Sequence, residues 1–75
     1  MDRVEIDRTD FKTEFRVGES YKATQTNFNT YGIQMGRDYP VHRIEENDSG
    51  IHLNITNDND VRVWIPHCFL EGKKA

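Results

Sequence analysis

Covalent reinforcement is almost absent from this chain: one cysteine, Cys68, occurs in 75 residues. A lone thiol cannot close an internal disulfide, so nothing covalent compensates for a small core, and an oxidising compartment is not implied. Long hydrophobic runs are missing as well. No stretch approaches the roughly 20 apolar residues that span a bilayer as a helix. The start, Met1-Asp2-Arg3-Val4-Glu5, lacks the apolar segment of a signal peptide. A soluble, cytoplasmic protein is therefore expected. Basic charge is short too: ten Lys and Arg stand against thirteen Asp and Glu, a formal net charge of −3. Sequence-independent attraction to phosphate backbones shows as a basic domain, so generic nucleic-acid binding is disfavoured.

What is present suits one small β-domain. Hydrophobic residues make up 35% of the chain and charged residues 31%, yet one Trp, three Tyr and four Phe supply apolar mass that a disordered chain lacks. A chain of this length buries only about 60% of the surface it exposes when unfolded. Each large side chain matters to such a core.

The clearest pattern lies between Tyr39 and Leu70. Ile51, Leu53 and Ile55 alternate with His52, Asn54 and Thr56, and Val61, Val63 and Ile65 alternate with Arg62, Trp64 and Pro66. A period of two marks half-buried strands. Thr56-Asn57-Asp58-Asn59-Asp60 between them has the short polar side chains of a turn, which predicts a hairpin with Ile55 opposite Val61, Leu53 opposite Val63 and Ile51 opposite Ile65. Upstream, Asn47-Asp48-Ser49-Gly50 is a second turn, entered by a strand from Tyr39 to Ile44. Val41 and Ile44 break strict alternation, so a bulge is expected near His42 or Arg43, with Pro40 beside an edge or bulge.

The first half is less regular. Val17-Gly18-Glu19-Ser20-Tyr21 and Met35-Gly36-Arg37-Asp38-Tyr39 share an apolar-Gly-x-x-Tyr pattern, in which Gly permits the reversal and Tyr opens a strand. A polar loop from Gln25 to Thr30 carries Phe28 and leads into Tyr31-Gly32-Ile33. Residues 1–17 form an extension: Val4 and Ile6 alternate as in a strand, whereas Phe11 and Phe15 have the spacing of one face of a helical turn, and residues 9–15 read equally as turn or loop. Residues 18–71 are expected to form the main β-domain, and 72–75 are expected to fray.

From Tyr21 to Glu71 the order of signals resembles the Src-homology-three-like small barrels of short bacterial and bacteriophage proteins. Its marks are Gly36-x-x-Tyr39-Pro-Val41 opening a strand, Glu46-x-Asp48-x-Gly50 and Asn57-Asp58 at turns, and Ile65-Pro66-x-x-Phe69-Leu70 at the close. The chain departs from the family in having no acidic Ala-Leu-Tyr-Asp-Tyr loop and no Trp at the start of the strand holding Ile51. The resemblance implies an all-β, five-stranded antiparallel barrel with a short helical turn near the C-terminus, and an aromatic at Phe69 that helps line a ligand groove. It also implies a small accessory protein of a bacteriophage or mobile element, acting in the host cytoplasm on a host protein. It does not imply polyproline recognition.

No catalytic constellation emerges. His42, His52 and His67 lie in separate elements, and four zinc ligands cannot be assembled at sensible spacing. Asp58-Asn59-Asp60 lacks the Gly and distant Glu of a calcium loop. Glu45 and Glu46 are adjacent and point to opposite faces of a strand, and Cys68 beside His67 has no third orienting group. Neither an enzyme nor a cofactor or metal is expected.

Two surfaces carry the binding expectation. Glu45, Glu46, Asp48, Asp58 and Asp60, uninterrupted by Lys or Arg, read either as two solvated turns or as an acidic end that docks on a basic surface. Parity puts Trp64 on the face opposite Val63 and Ile65, near His52 and Pro66. Either residues 1–17 fold back over it with Phe11 or Phe15, or Trp64, Pro66 and Phe69 join Phe28 or Tyr31 and His52 in an exposed patch that binds a partner. A non-catalytic protein-interaction module follows, monomeric or weakly dimeric through an edge strand. Single-stranded nucleic-acid binding by stacking, or a structural role in a larger assembly, are the alternatives.

Overall fold

Alternating apolar and polar residues build strands throughout the chain, and the computed structural model describes residues 1–75. In order these are β1 (Arg3–Asp7), β2 (Lys12–Arg16), β3 (Ser20–Ala23), β4 (Asp38–Asn47), β5 (Gly50–Thr56), β6 (Arg62–Pro66), a 3-10 turn at His67–Phe69, β7 (Leu70–Glu71) and β8 (Lys73–Lys74). The strands form a five-stranded sheet in the order β6-β5-β4-β3-β7 and a three-stranded sheet in the order β1-β2-β8. Every pairing is antiparallel. The larger sheet curls into a half-barrel. No helix is long and apolar enough to cross a membrane.

The long strand β4 pairs with β3 through its first residues and with β5 through the rest, and the register shifts between Val41 and Arg43. That is the expected bulge. The extra residue, His42, returns both Val41 and Ile44 to the core, where they are 0% and 1% exposed. A bulge also sharpens local twist, which lets one strand serve both halves of the curled sheet.

The β5–β6 hairpin keeps the predicted parity but not the predicted register. Ile55 faces Val63 and Leu53 faces Ile65, a slip of two residues that leaves each side chain on its expected face. Val61 is the residue lost from the ladder, and it is 52% exposed. The reason is Asn57, whose Oδ1 accepts the N–H groups of both Asn59 and Val61 at 3.0 Å, so Val61 belongs to the loop. Asp60 completes the reversal with φ +62°, a conformation that Asp tolerates better than most residues.

The two apolar-Gly-x-x-Tyr stretches are one device used twice. Gly18 and Gly36 have φ +93° and +87°, as the third residue of a type II turn requires, and the turns close through Glu19 N–H to Arg16 C=O and Arg37 N–H to Gln34 C=O. Each Tyr hydroxyl then accepts the N–H five residues earlier: Arg16 donates to Tyr21 and Gln34 to Tyr39. Tyr21 and Tyr39 face one another in the β3–β4 ladder. Gly18 and Glu19 extend that ladder on Val41 as Gly36 and Arg37 do on Ala23, so a local two-fold relation runs between the tyrosines.

Residues 9–15 are neither helical turn nor simple loop. Lys12–Arg16 is a strand that pairs with β1, Val4 opposite Phe15 and Ile6 opposite Thr13. Phe15 is fully buried and meets Tyr21 edge to face with ring centroids 4.9 Å apart. Phe11 stays 44% exposed. The tail is a strand: β8 pairs with β2, and Ala75 N–H reaches Lys12 C=O. One core of Val4, Phe15, Tyr21, Ala23, Ile33, Tyr39, Val41, Ile44, Leu53, Ile55, Ile65 and Leu70 joins both sheets.

Candidate functional site

The outer face of the β4–β5–β6 meander is built in rows. Arg43, Asn54 and Trp64 face one another across the three strands, and Glu45, His52 and Pro66 form the next row. Since Val63 and Ile65 point to the core side, Trp64 must point away from it. Trp64 is 39% exposed. The N-terminal hairpin does not cover it, because Phe15 is spent on Tyr21 and Phe11 lies against Lys74, whose Nζ is 5.1 Å from the ring centroid. The Arg43 guanidinium stands 6.0 Å from the Trp64 ring centroid, within cation–π range. Asn54, between the two, is buried. It was not among the predicted site residues, because the register slip placed His52 rather than Asn54 nearest Trp64.

Beside Trp64 a shallow depression of about 280 Å³ is lined by Glu45, Asn47, Ser49 and His52. Arg43 Nη2 lies 3.5 Å from Glu45 Oε1, and His52 Nδ1 lies 3.3 Å from the Gly50 carbonyl oxygen. The face therefore offers a cation, an anion, an imidazole and an indole within one patch. It can stack and hydrogen-bond. No group of three or more His, Cys, Asp or Glu side chains is placed so that it could hold a metal ion.

The predicted aromatic patch divides in two. Tyr31 and Phe69 meet edge to face at 5.1 Å and pack against the core. The 3-10 turn is held there by Thr24, whose N–H donates to Phe69 C=O and whose hydroxyl donates to Cys68 C=O. Phe28 projects from the loop between β3 and β4, 59% exposed. Trp64, Pro66 and His52 share the sheet face, and neither ring contact nor depression links Trp64 with Phe28, Tyr31 or Phe69.

The acidic end is likewise not one end. Glu45, Glu46 and Asp48 lie toward the β4–β5 turn, whereas Asp58 and Asp60 lie in the β5–β6 loop. Successive turns of an antiparallel meander fall at opposite ends of the shared strand, here about 20 Å apart for seven residues of β5. Asp58 is also engaged internally. Its carboxylate accepts the Tyr39 hydroxyl, with both oxygens at 3.0 Å, and Arg37 approaches to 3.5 Å. Its N–H donates to Gly32 C=O. Gly32 has φ +67°, which disfavours any side chain, and a Cβ there would lie 2.7 Å from Asn57 Nδ2. Asp58 and Asn57 thus lock the long loop onto the β5–β6 loop. Burial foremost, with the neighbouring Asp58 carboxylate, raises the Tyr39 hydroxyl above its ordinary pKa although the Gln34 N–H opposes this.

The largest depression, about 570 Å³, lies elsewhere, between the β1–β2 turn and the C-terminal strands. Arg8 and Lys74 are balanced there by Asp10 and Glu71, and Phe11 is its one apolar wall. Such an open, mixed lining selects no ligand class. Comparison with protein-family models, with curated proteins and with solved structures gives no match.

Proposed function

We propose that this protein is a non-catalytic interaction module of the Src-homology-three-like barrel type, which binds another protein through the outer face centred on Trp64. The fold part of the reading is supported by the strand order β6-β5-β4-β3-β7, the bulged β4 shared by both halves, the long loop between β3 and β4, and the 3-10 turn before β7. The observation that carries the binding part is Trp64 itself: a large aromatic left 39% exposed on the outer face of β6, beside Arg43 and the depression lined by Glu45 and His52. Tryptophan and arginine dominate the energetic centres of protein interfaces, and Arg43 stands over the ring. The polar frame of Glu45, His52 and Asn47 suits the rim of such a contact.

The test is affinity capture with the intact protein and two variants, Trp64→Ala and Phe28→Ala. A stoichiometric protein retained by wild type and Phe28→Ala but lost at least tenfold with Trp64→Ala supports the reading. Recovery that disappears on nuclease treatment would instead assign the ring to base stacking, and loss with Phe28→Ala alone would move the site to the long loop.

A further inference from the structure

The sheet edges of this molecule are not alike. β7 and β8 are two residues long, β8 is Lys73-Lys74, and β1 carries Arg3, Glu5 and Asp7. Shortness and charge are the ordinary devices that keep edges from pairing. β6, the terminal strand of the larger sheet, has neither: it is five residues long with Arg62 as its one charged residue. Exposed apolar side chains gather at it: Val61, in the loop just before the strand, is 52% and Trp64 39% exposed, and Val63 is half-buried.

Pro66 reveals which backbone groups face outward. It lies opposite His52, and a residue without an N–H cannot exchange both hydrogen bonds with its partner, so this is a non-hydrogen-bonded pair. Alternation then makes Asn54 opposite Trp64 and Thr56 opposite Arg62 non-hydrogen-bonded pairs as well. The N–H and C=O groups of Arg62 and Trp64 therefore point away from β5, toward the open edge.

We propose that this edge pairs with β6 of a second copy of the chain, antiparallel and centred on Val63, to form a weak symmetric dimer. In that register Arg62 of each copy lies directly opposite Trp64 of the other, and each such pair exchanges both of its N–H···O bonds. Val63 meets its own counterpart, and the exposed Val61 falls opposite Ile65, whose side chain stays in the core. The charges match. Arg62 has no carboxylate partner within the chain, and the Trp64 ring already accepts one guanidinium on its own sheet. A cation facing an indole is attractive. Centring the pair on Arg62 would oppose like charges, and centring it on Trp64 would set Pro66, which has no donor, against Arg62. A five-residue contact falls below the ~1,200 Å² of a standard interface, and two copies of net charge −3 repel, so dissociation on the order of 0.1 mM is expected. The pairing uses the backbone edge and does not depend on the Trp64 face being a partner site.

Sedimentation equilibrium of the full chain from about 10 µM to 1 mM, with amide exchange read by NMR at both limits, tests this over the range where such a contact dissociates. The mass should rise toward two chains while the Arg62 and Trp64 amides, open in the monomer, become protected at least tenfold. Val61→Lys, at a residue already exposed, should weaken dimerisation at least tenfold with an unchanged melting temperature. A single-chain mass at the highest concentration overturns the proposal and leaves the edge for a foreign strand. A dimer whose new protection falls on β1, or one indifferent to Val61→Lys, overturns it too.

Discussion

The two hairpins β1–β2 and β5–β6 are built alike on the inside and differently on the outside. Inward, Val4, Thr13 and Phe15 of the first and Leu53, Ile55 and Ile65 of the second are buried in or beside the same core. Outward, the first hairpin is all charge. Arg3 faces Arg16 and Glu5 faces Glu14, like against like, which is unfavourable taken alone. The charges are reconciled along and across the strands instead: Arg3 Nε lies 2.6 Å and Arg16 Nε 3.0 Å from the Glu14 carboxylate, and Arg3 also meets Glu5. Arg16 foremost, then Arg3, holds the Glu14 carboxyl below its ordinary pKa. The second hairpin turns His52, Asn54, Trp64 and Pro66 outward. Alternation that satisfies a core thus leaves the other face free to vary, and here one outer face is solvated charge while the other holds an indole.

If both inner faces contribute to one core, breaking the N-terminal one should be as damaging as breaking the meander. Phe15 is fully buried, and truncating a core phenylalanine costs about 3–5 kcal/mol. Domains have only about 5–15 kcal/mol in all, and one this small belongs near the bottom of that range. Phe15→Ala should therefore be largely unfolded at moderate temperature, as a urea titration followed by circular dichroism would show. A loss under ~1 kcal/mol would make residues 1–17 a detachable cover, and the comparison would fail.

The hairpins also differ at their tips. The β1–β2 turn closes with Arg8 N–H on Phe11 C=O, whereas the β5–β6 loop is tied to the long loop through the Asp58 N–H on Gly32 C=O and Asn57 Nδ2 on Tyr31 C=O, and to β4 through the Asp58 carboxylate on Tyr39, whose hydroxyl also accepts the Gln34 N–H. Asp58→Ala removes the acceptor of the Tyr39 hydroxyl, and hydrogen bonds to a charged group contribute about 1.5–3 kcal/mol. We expect a loss of that size, smaller than for Phe15→Ala, accompanied by faster proteolysis between Gln25 and Gln34. Unchanged proteolysis would mean that Ile33, fully buried, holds the loop without help.

What could be read from the sequence follows the range of the interaction involved. Side-chain parity in β5 and β6 is a two-residue property, and it placed Leu53, Ile55 and Ile65 inward and Trp64 outward correctly. The bulge at His42 was legible for the same reason, since Val41 and Ile44 could reach one face in no other way. Register was not legible, because it depended on Asn57 capturing the Val61 N–H. In the first seventeen residues the four-residue spacing of Phe11 and Phe15 suggested a turn. The strand reading needed Val4 and Ile6 as partners, a pairing that spacing alone does not reveal. The repeated Gly-x-x-Tyr was visible, but the Tyr hydroxyls reaching back to Arg16 and Gln34 were not. On the outer face, parity set Trp64, Pro66 and His52 together, Asn54 and Arg43 beside them were not foreseen, and Tyr31 packs on Phe69 instead of joining that face.

The smallest expected effect lies at the 3-10 turn. His67, in the 3-10 turn after β6, feels the charge of Arg8 from the β1–β2 turn and of His52 from β5. Burial first, then those two groups, lowers its pKa. Its Nδ1 is buried without a hydrogen-bond partner, and a protonated imidazole needs acceptors at both nitrogens. The folded state therefore favours neutral His67, while in the unfolded chain the ring protonates near its ordinary value of about 6.5. Above that pH both states are neutral and His67 makes no pH-dependent contribution. As the pH falls below it, the unfolded chain takes up a proton that the folded one resists, and stability drops until the folded pKa is passed. Melting temperatures at pH 7.5 and 5.5 should accordingly fall further for wild type than for His67→Gln, by roughly 2 °C, with His42 and His52 common to both proteins. Arg8→Gln should recover part of that difference, because it removes the cation contributed by the N-terminal hairpin. Equal acid sensitivity in wild type and His67→Gln would mean that the imidazole is solvated. An effect of His67→Gln with none of Arg8→Gln would trace the shift to burial and His52 alone, leaving the N-terminal hairpin tied to the meander through Phe15 and the shared core and not through charge.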